Sequence, residues 1–162
     1  MTVIEGRDHY LAENGFTVQA YEDAWTKASF FGLSFSVPNT ARHRWAIMLH
    51  DLHHVATGYG TDLPGEAEVS AWEARRGLRP LGAYVASIVT GGAAFGLMIA
   101  PRRTVRAYRD SGRGVPSLFR RDADYEATLA LTVGALRERL GVPRNGLFRG
   151  TRRLHPDAPK TT

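Results

Sequence analysis

The stretch His50-Asp51-Leu52-His53-His54-Val55-Ala56-Thr57-Gly58-Tyr59-Gly60-Thr61-Asp62-Leu63-Pro64-Gly65-Glu66 decides how this chain is read. Its first half continues an apolar pattern, Trp45, Met48, Leu49, Leu52 and Val55, that recurs at helical steps. The pattern predicts a helix with Thr40 as N-cap, running to about Thr57 and stopped by Gly58. Gly60, Asp62, Pro64 and Gly65 then form a loop into a second helix from about Glu66 to Arg76, ended by Gly77. On the first helix His54 sits only about 40° around from His50, and Asp51 about 100° from it, so three side chains can converge. An antiparallel second helix would bring Glu66 across the gap, making His50, Asp51, His54 and Glu66 the predicted metal ligands. Spacing alone leaves open the simpler reading, a solvated polar helix face, and leaves Glu68 and Glu73 as rival carboxylates, although Glu68 would point about 160° away from Glu66.

The chain has no cysteine, so a bound metal has only imidazole and carboxylate ligands to use, which suit zinc, iron or manganese. Four such ligands would close a tetrahedral zinc shell. A larger coordination number, or an Asp51 that does not ligate, would leave a position for chemistry. His53, beside this cluster, is the candidate for catalytic proton transfer, because imidazole titrates near neutrality.

Working outward, 162 residues with 43% hydrophobic content suffice for one helical metal-binding domain over residues 1–150, followed by a disordered tail over 151–162. A short helix is expected from Arg7 to about Asn14, a second polar-apolar stretch from Thr17 to about Trp25, and a small hairpin between Lys27 and Val37. The expected fold class is therefore mainly α, with a small amino-terminal hairpin. Leu81 to Ala100 carries no charge over 20 residues, which by length permits a transmembrane helix. Gly91 and Gly92 at its middle and its six Ala or Ser residues favour a buried helix, a broken helix pair, or the wall of an apolar tunnel. Thr104 to Arg109 should continue helically, and Asp122 to Leu140 should form one amphipathic helix with Leu129, Val133, Leu136 and Leu140 as its core stripe.

Of the 21 basic residues only Lys27 and Lys160 are lysine, and arginine forks suit phosphate, whether on a membrane surface, a ligand or a nucleic acid. No aromatic residues interleave with these arginines in a nucleic-acid-binding pattern, so nucleic acid is not an expected partner. The amino end carries Glu5, Arg7 and Asp8 where a secretory signal needs an apolar core, so a cytoplasmic location is expected. His50 and Asp51 also form the pair used by HD-type phosphohydrolases. That chemistry needs a further upstream histidine on a different helix, however, and His43 falls on the same predicted one.

The pattern of His50 and Asp51, two residues, His54, eleven residues, then Glu66 resembles the signature of the coenzyme Q (ubiquinone) biosynthesis protein 4 family. The words HDLHHVATGYGTDLPGEAE and LFRRDADYEATLALTVGALRERLGV are similar to that family's, and the resemblance covers roughly Pro38 to Val142 in what looks like a free-standing, bacterial-type member. It implies an all-helical fold, His50, Asp51, His54 and Glu66 as ligands of zinc or a related ion, and apolar helices that bind a polyprenyl chain. It further implies a peripheral place on the inner face of a membrane, and oxidative removal of a ring carboxyl with hydroxylation of a prenylated aromatic precursor. Tyr59, Arg102 and Arg103 are the candidates for substrate contact, the arginines toward a head group or phosphate. The alternative is a noncatalytic lipid-binding or scaffold protein with a structural metal. Expected partners are a hydrophobic or prenylated small molecule, a membrane surface and a second copy of the chain.

Overall fold

A computed structural model describes residues 1–30, 33–112 and 114–149, those at 26–30 and 33–35 by their backbone; the expected disordered tail over 151–162 lies outside the described residues. The fold is mainly α. Thr2 and Glu5 form a reciprocal capping box that starts α1 (Val3–Glu13) earlier than the expected Arg7. After a 3-10 turn at Val18–Glu22, β1 (Trp25–Phe30) and β2 (Leu33–Pro38) pair antiparallel as the small hairpin. Next come α2 (Ala41–Thr57), capped by the Thr40 side chain and ended at Gly58, and α3 (Leu63–Arg76), capped by the Asp62 side chain and ended at Gly77. Asp62 takes the capping role because its side chain accepts the Gly65 amide, so α3 begins one turn before Glu66 and that residue stands inside the helix.

The uncharged run forms one continuous helix, α4 (Gly82–Ile99), and Gly91 and Gly92 do not break it. Its glycines instead let it approach α3 closely. A Cβ at Gly96 would come within 2.5 Å of the Ala67 Cβ and 2.6 Å of the Thr104 Oγ1, so only a hydrogen fits. The expectation of a buried helix is corrected: 22% of its most apolar window is buried, and Tyr84, Ile88, Leu97, Met98 and Ile99 stand exposed. The helix is long and apolar enough to cross a membrane by length and composition. α5 (Pro101–Asp110) folds back onto α3, held by Arg103, whose guanidinium donates to both Glu68 oxygens at 3.1 and 2.7 Å.

The single amphipathic helix expected over Asp122 to Leu140 is in fact two, α6 (Tyr125–Leu129) and α7 (Val133–Arg139). The chain's own amino end causes the break. The Val3 amide donates to the Leu131 carbonyl at 2.8 Å and the Val133 amide to the Met1 carbonyl at 3.2 Å, replacing helical bonds with a short bridge, and Thr132 caps a new helix. The expected stripe nevertheless faces inward, with Leu129, Val133, Leu136 and Leu140 all buried in the core that also holds Leu49, Leu52, Trp72 and Leu81.

Arg76 locks the end of α3 into this core. Its guanidinium lies 3.9 Å over the Trp72 ring and donates to the Ser111 hydroxyl at 3.0 Å and the Leu140 carbonyl at 2.8 Å. Burial pushes this arginine down to about 10.

Candidate metal centre

α2 and α3 face each other where His50, His54 and Glu66 meet. Their ligand atoms lie within 4.8 Å of one another, so the group could hold a metal ion. His54 is fully buried, whereas the His50 and Glu66 side chains are 22% and 41% exposed, so the centre opens to solvent on the Glu66 side.

The outer hydrogen bonds decide which ring atoms are available. His54 Nδ1 lies 3.1 Å from the Tyr59 carbonyl, and a carbonyl only accepts, so Nδ1 carries the hydrogen and Nε2 of the neutral ring is bare. His50 Nδ1 in the same way donates to Glu73 Oε1 at 2.8 Å. The Nε2 of His54, and that of His50 once its ring gives up a second proton, stand 3.1 Å apart, with Glu66 oxygens 3.2 Å from that of His50 and 3.4 Å from that of His54. Two lone pairs and a carboxylate aimed at one point repel unless a cation lies among them. This donor set, with each imidazole anchored through its far nitrogen, is the arrangement that metal-ligating histidines adopt.

The charge balance of the ion-free protein tells the same story through a proton. Burial pushes the His50 imidazole down, but the Glu73 charge and the Glu66 and Glu73 hydrogen bonds outweigh it and hold it well above its ordinary value. Burial likewise pushes the Glu66 carboxyl up, yet the facing His54 and His50 rings bring it far below the usual carboxylate range. For Glu73 the same contest ends at about 2, burial being overcome by His50 and by the N–H donors of His50 and His53.

Local sequence explains why the loop can close the centre. Gly65 sits where a Cβ would lie 2.1 Å from the Gly60 carbonyl oxygen, so any side chain there would push the loop and the start of α3 apart. The Thr61 hydroxyl is bonded to Asn14 at the end of α1, which pins the loop whose Tyr59 carbonyl anchors His54.

Asp51 is not among the three converging residues. It is buried and its carboxylate accepts the Tyr21 hydroxyl, while the Tyr10 ring stacks on His54 at 5.2 Å. Tyr21 is delivered there by Asn39, whose amide donates to the Tyr21 and Asp23 carbonyls at 2.9 and 2.8 Å. Burial raises the Asp51 carboxyl above its ordinary value despite the histidines nearby.

His53, expected as a proton-transfer residue, sits apart from the three converging side chains. It is fully buried, its Nε2 accepts the Leu118 amide at 3.0 Å, and its Nδ1 donates to Glu73 at 2.7 Å, so neither nitrogen reaches solvent or the centre. Of the expected substrate contacts, Tyr59 contributes its carbonyl, not its ring, to the centre, since the ring is buried. Arg103 is committed to Glu68, on the side of α3 about 160° away from Glu66. Arg102 is exposed on α5. Glu73, weighed in the sequence only as a rival ligand, proves to be the carboxylate behind His50. Its signal was its place seven residues after Glu66, which returns it to within about 20° of the same helix face.

No family model, no curated protein and no solved structure matches this chain.

Proposed function

We propose that this chain is a metal-dependent enzyme acting on a hydrophobic, prenylated aromatic precursor, with zinc as its foremost ion and iron or manganese as the alternatives. The observation that carries the reading is the convergence of His50 Nε2, His54 Nε2 and Glu66 with both imidazoles anchored from behind. Three protein ligands with an exposed carboxylate leave room for a substrate oxygen, as catalytic zinc sites do. Two histidines and one carboxylate are also the ligand set of non-haem iron oxygenases, the form that the hydroxylating half of the expected reaction would need. Bound there, the ion would supply Lewis-acid polarisation of a carboxyl or phenolic oxygen, the step that favours loss of a ring carboxyl as carbon dioxide.

The apolar part of the substrate is supported by α4, which packs on α3 beside the centre and shows solvent no charged side chain over its length. Exposed Arg102, Arg106 and Arg109 on α5 follow that surface directly and suit anionic head groups, which supports a peripheral membrane location. The likeness of the His50 to Glu66 motif to the coenzyme Q biosynthesis protein 4 family points to the same substrate class. A noncatalytic scaffold with a structural ion is the second reading, favoured by the α4 surface alone; it needs a closed shell, and Asp51, the fourth expected ligand, is engaged by Tyr21.

The test is elemental analysis of the purified protein together with turnover of a prenylated hydroxybenzoate by ion-loaded protein under air. The reading expects one equivalent of a divalent ion, lost in Glu66→Ala, and release of carbon dioxide that depends on that ion. Ion-loaded protein that binds the precursor without turning it over would establish the scaffold reading instead.

A further inference from the structure

Behind the three converging ligands lies a second, wholly buried layer. Glu73 stands on α3 with no exposure, and its Oε1 accepts two N–H bonds, from His50 Nδ1 at 2.8 Å and from His53 Nδ1 at 2.7 Å. His53 is itself fixed, because the Leu118 amide donates to its Nε2 at 3.0 Å, which leaves the ring hydrogen on Nδ1 and directs it at Glu73. Trp72 and Phe119 pack on the His53 ring at 5.0 and 4.9 Å. A buried carboxylate flanked by two imidazoles has two possible roles: ligand, or support for a ligand. Two observations favour support: a neutral His53 whose Nε2 accepts has no lone pair left on Nδ1 to share an ion with Glu73, and His50 turns Nδ1 to Glu73 and Nε2 to the point it shares with His54 and Glu66.

We infer that Glu73 is a positioning residue of the ion centre, which turns His50 so that Nε2 faces Glu66 and raises its donor strength, and that His53 and the Leu118 amide hold Glu73 for that task. The inference rests on the His50, His54 and Glu66 centre proposed above. It makes the segment from Ser117 to Phe119 part of the centre's support although none of it touches the ion. The hydrogen bonds run unbroken from His50 through Glu73 and His53 to the backbone of that segment.

The test is Zn(II) affinity, measured by competition with a chromophoric chelator, for wild-type protein, Glu66→Ala and Glu73→Gln. Gln keeps the size and one accepting oxygen of Glu73 but removes its charge. Loss of an outer carboxylate of this kind weakens metal binding about tenfold to a hundredfold. The inference expects that loss in Glu73→Gln with the helical circular dichroism unchanged, and a shift in the visible bands of the Co(II) form, which a residue needed only for packing would not produce. Affinity within about twofold of wild type, with the same Co(II) bands, overturns it. Should Glu73→Gln not fold, cadmium NMR of wild-type protein with nitrogen-labelled histidine decides. Coupling of Cd(II) to His50 Nε2, with a proton on Nδ1, supports the inference, and coupling to His50 Nδ1 overturns it. Wild-type protein that takes up no Zn(II) overturns the centre and this inference together, whereas tight wild-type binding lost in Glu66→Ala but kept in Glu73→Gln overturns the positioning role alone.

Discussion

Replacing Gly65 by Ala tests the loop that closes the centre. The new Cβ would lie 2.1 Å from the Gly60 carbonyl oxygen, 1.3 Å short of the 3.4 Å at which ordinary contact begins, and 2.6 Å from the carbonyl carbon. Both atoms are backbone, so no rotamer relieves the overlap, and either residues 58–62 or the first turn of α3 must move by about an ångström. Overpacking of this kind costs about 1–3 kcal/mol, of which the better helix propensity of alanine returns about 0.5–1 kcal/mol. The net loss of about 1–2 kcal/mol lowers the midpoint of thermal unfolding by roughly 2–8 °C for a domain of this size. The same displacement reaches the ion, because Glu66 follows Gly65 directly and Tyr59, the anchor of His54, precedes Gly60. Ligand geometry tolerates only about 0.5 Å, so Zn(II) affinity should fall on the order of a hundredfold. Gly91→Ala is the control: nothing lies within 4 Å of a Cβ there, and the substitution within α4 should stabilise by about 0.5–1 kcal/mol and leave Zn(II) affinity unchanged. Scanning calorimetry and chelator competition measure both. Gly65→Ala protein that melts with the wild type and binds Zn(II) equally well would refute the close approach of Gly60 and Gly65 on which the geometry depends.

Ion binding should release a proton near neutral pH. In the ion-free protein His50 is held protonated above its ordinary 6.5 and must give up that proton to ligate, so apparent Zn(II) affinity should rise with pH through neutrality; calorimetry in buffers of different ionisation heat counts the proton, and pH-independent binding would contradict it. Arg76→Ala should cost about 2–3 kcal/mol, since it frees the Leu140 carbonyl and the Ser111 hydroxyl from a charged donor, and urea unfolding measures this. Met98→Glu, at a side chain 78% exposed on α4, should change stability by less than about 0.5 kcal/mol while abolishing sedimentation with vesicles rich in phosphatidylserine; vesicle binding equal to wild type would remove α4 from the membrane-facing surface.

What the sequence makes legible here is local. α2 is readable end to end because its cap, its apolar steps and its glycine stop all lie within one segment. The two histidines and Glu66 are readable because helix geometry fixes the first pair and a short loop returns the chain. Asp51 shows the limit of that reasoning. Its angle around α2 permits either a ligand or an outer role, and the Tyr21 hydroxyl that engages it arrives from 30 residues earlier. The break between α6 and α7 is hidden for the same reason, since the residues that displace the helical bonds are Met1 and Val3. For α4 the composition misled in another way. Glycines that weaken a helix in isolation serve as contact points with α3, and an uncharged run that suggests burial lies largely exposed.

The proposed function requires an ion at the point shared by α2 and α3. Anomalous scattering from crystals of the protein loaded with Zn(II), recorded on both sides of the zinc absorption edge, tests this most directly. One peak is expected about 2.0–2.2 Å from His50 Nε2, His54 Nε2 and a Glu66 oxygen, with Glu73 outside bonding distance. A peak bound elsewhere, or His50 and Glu66 paired through a proton with no peak between them, would contradict it.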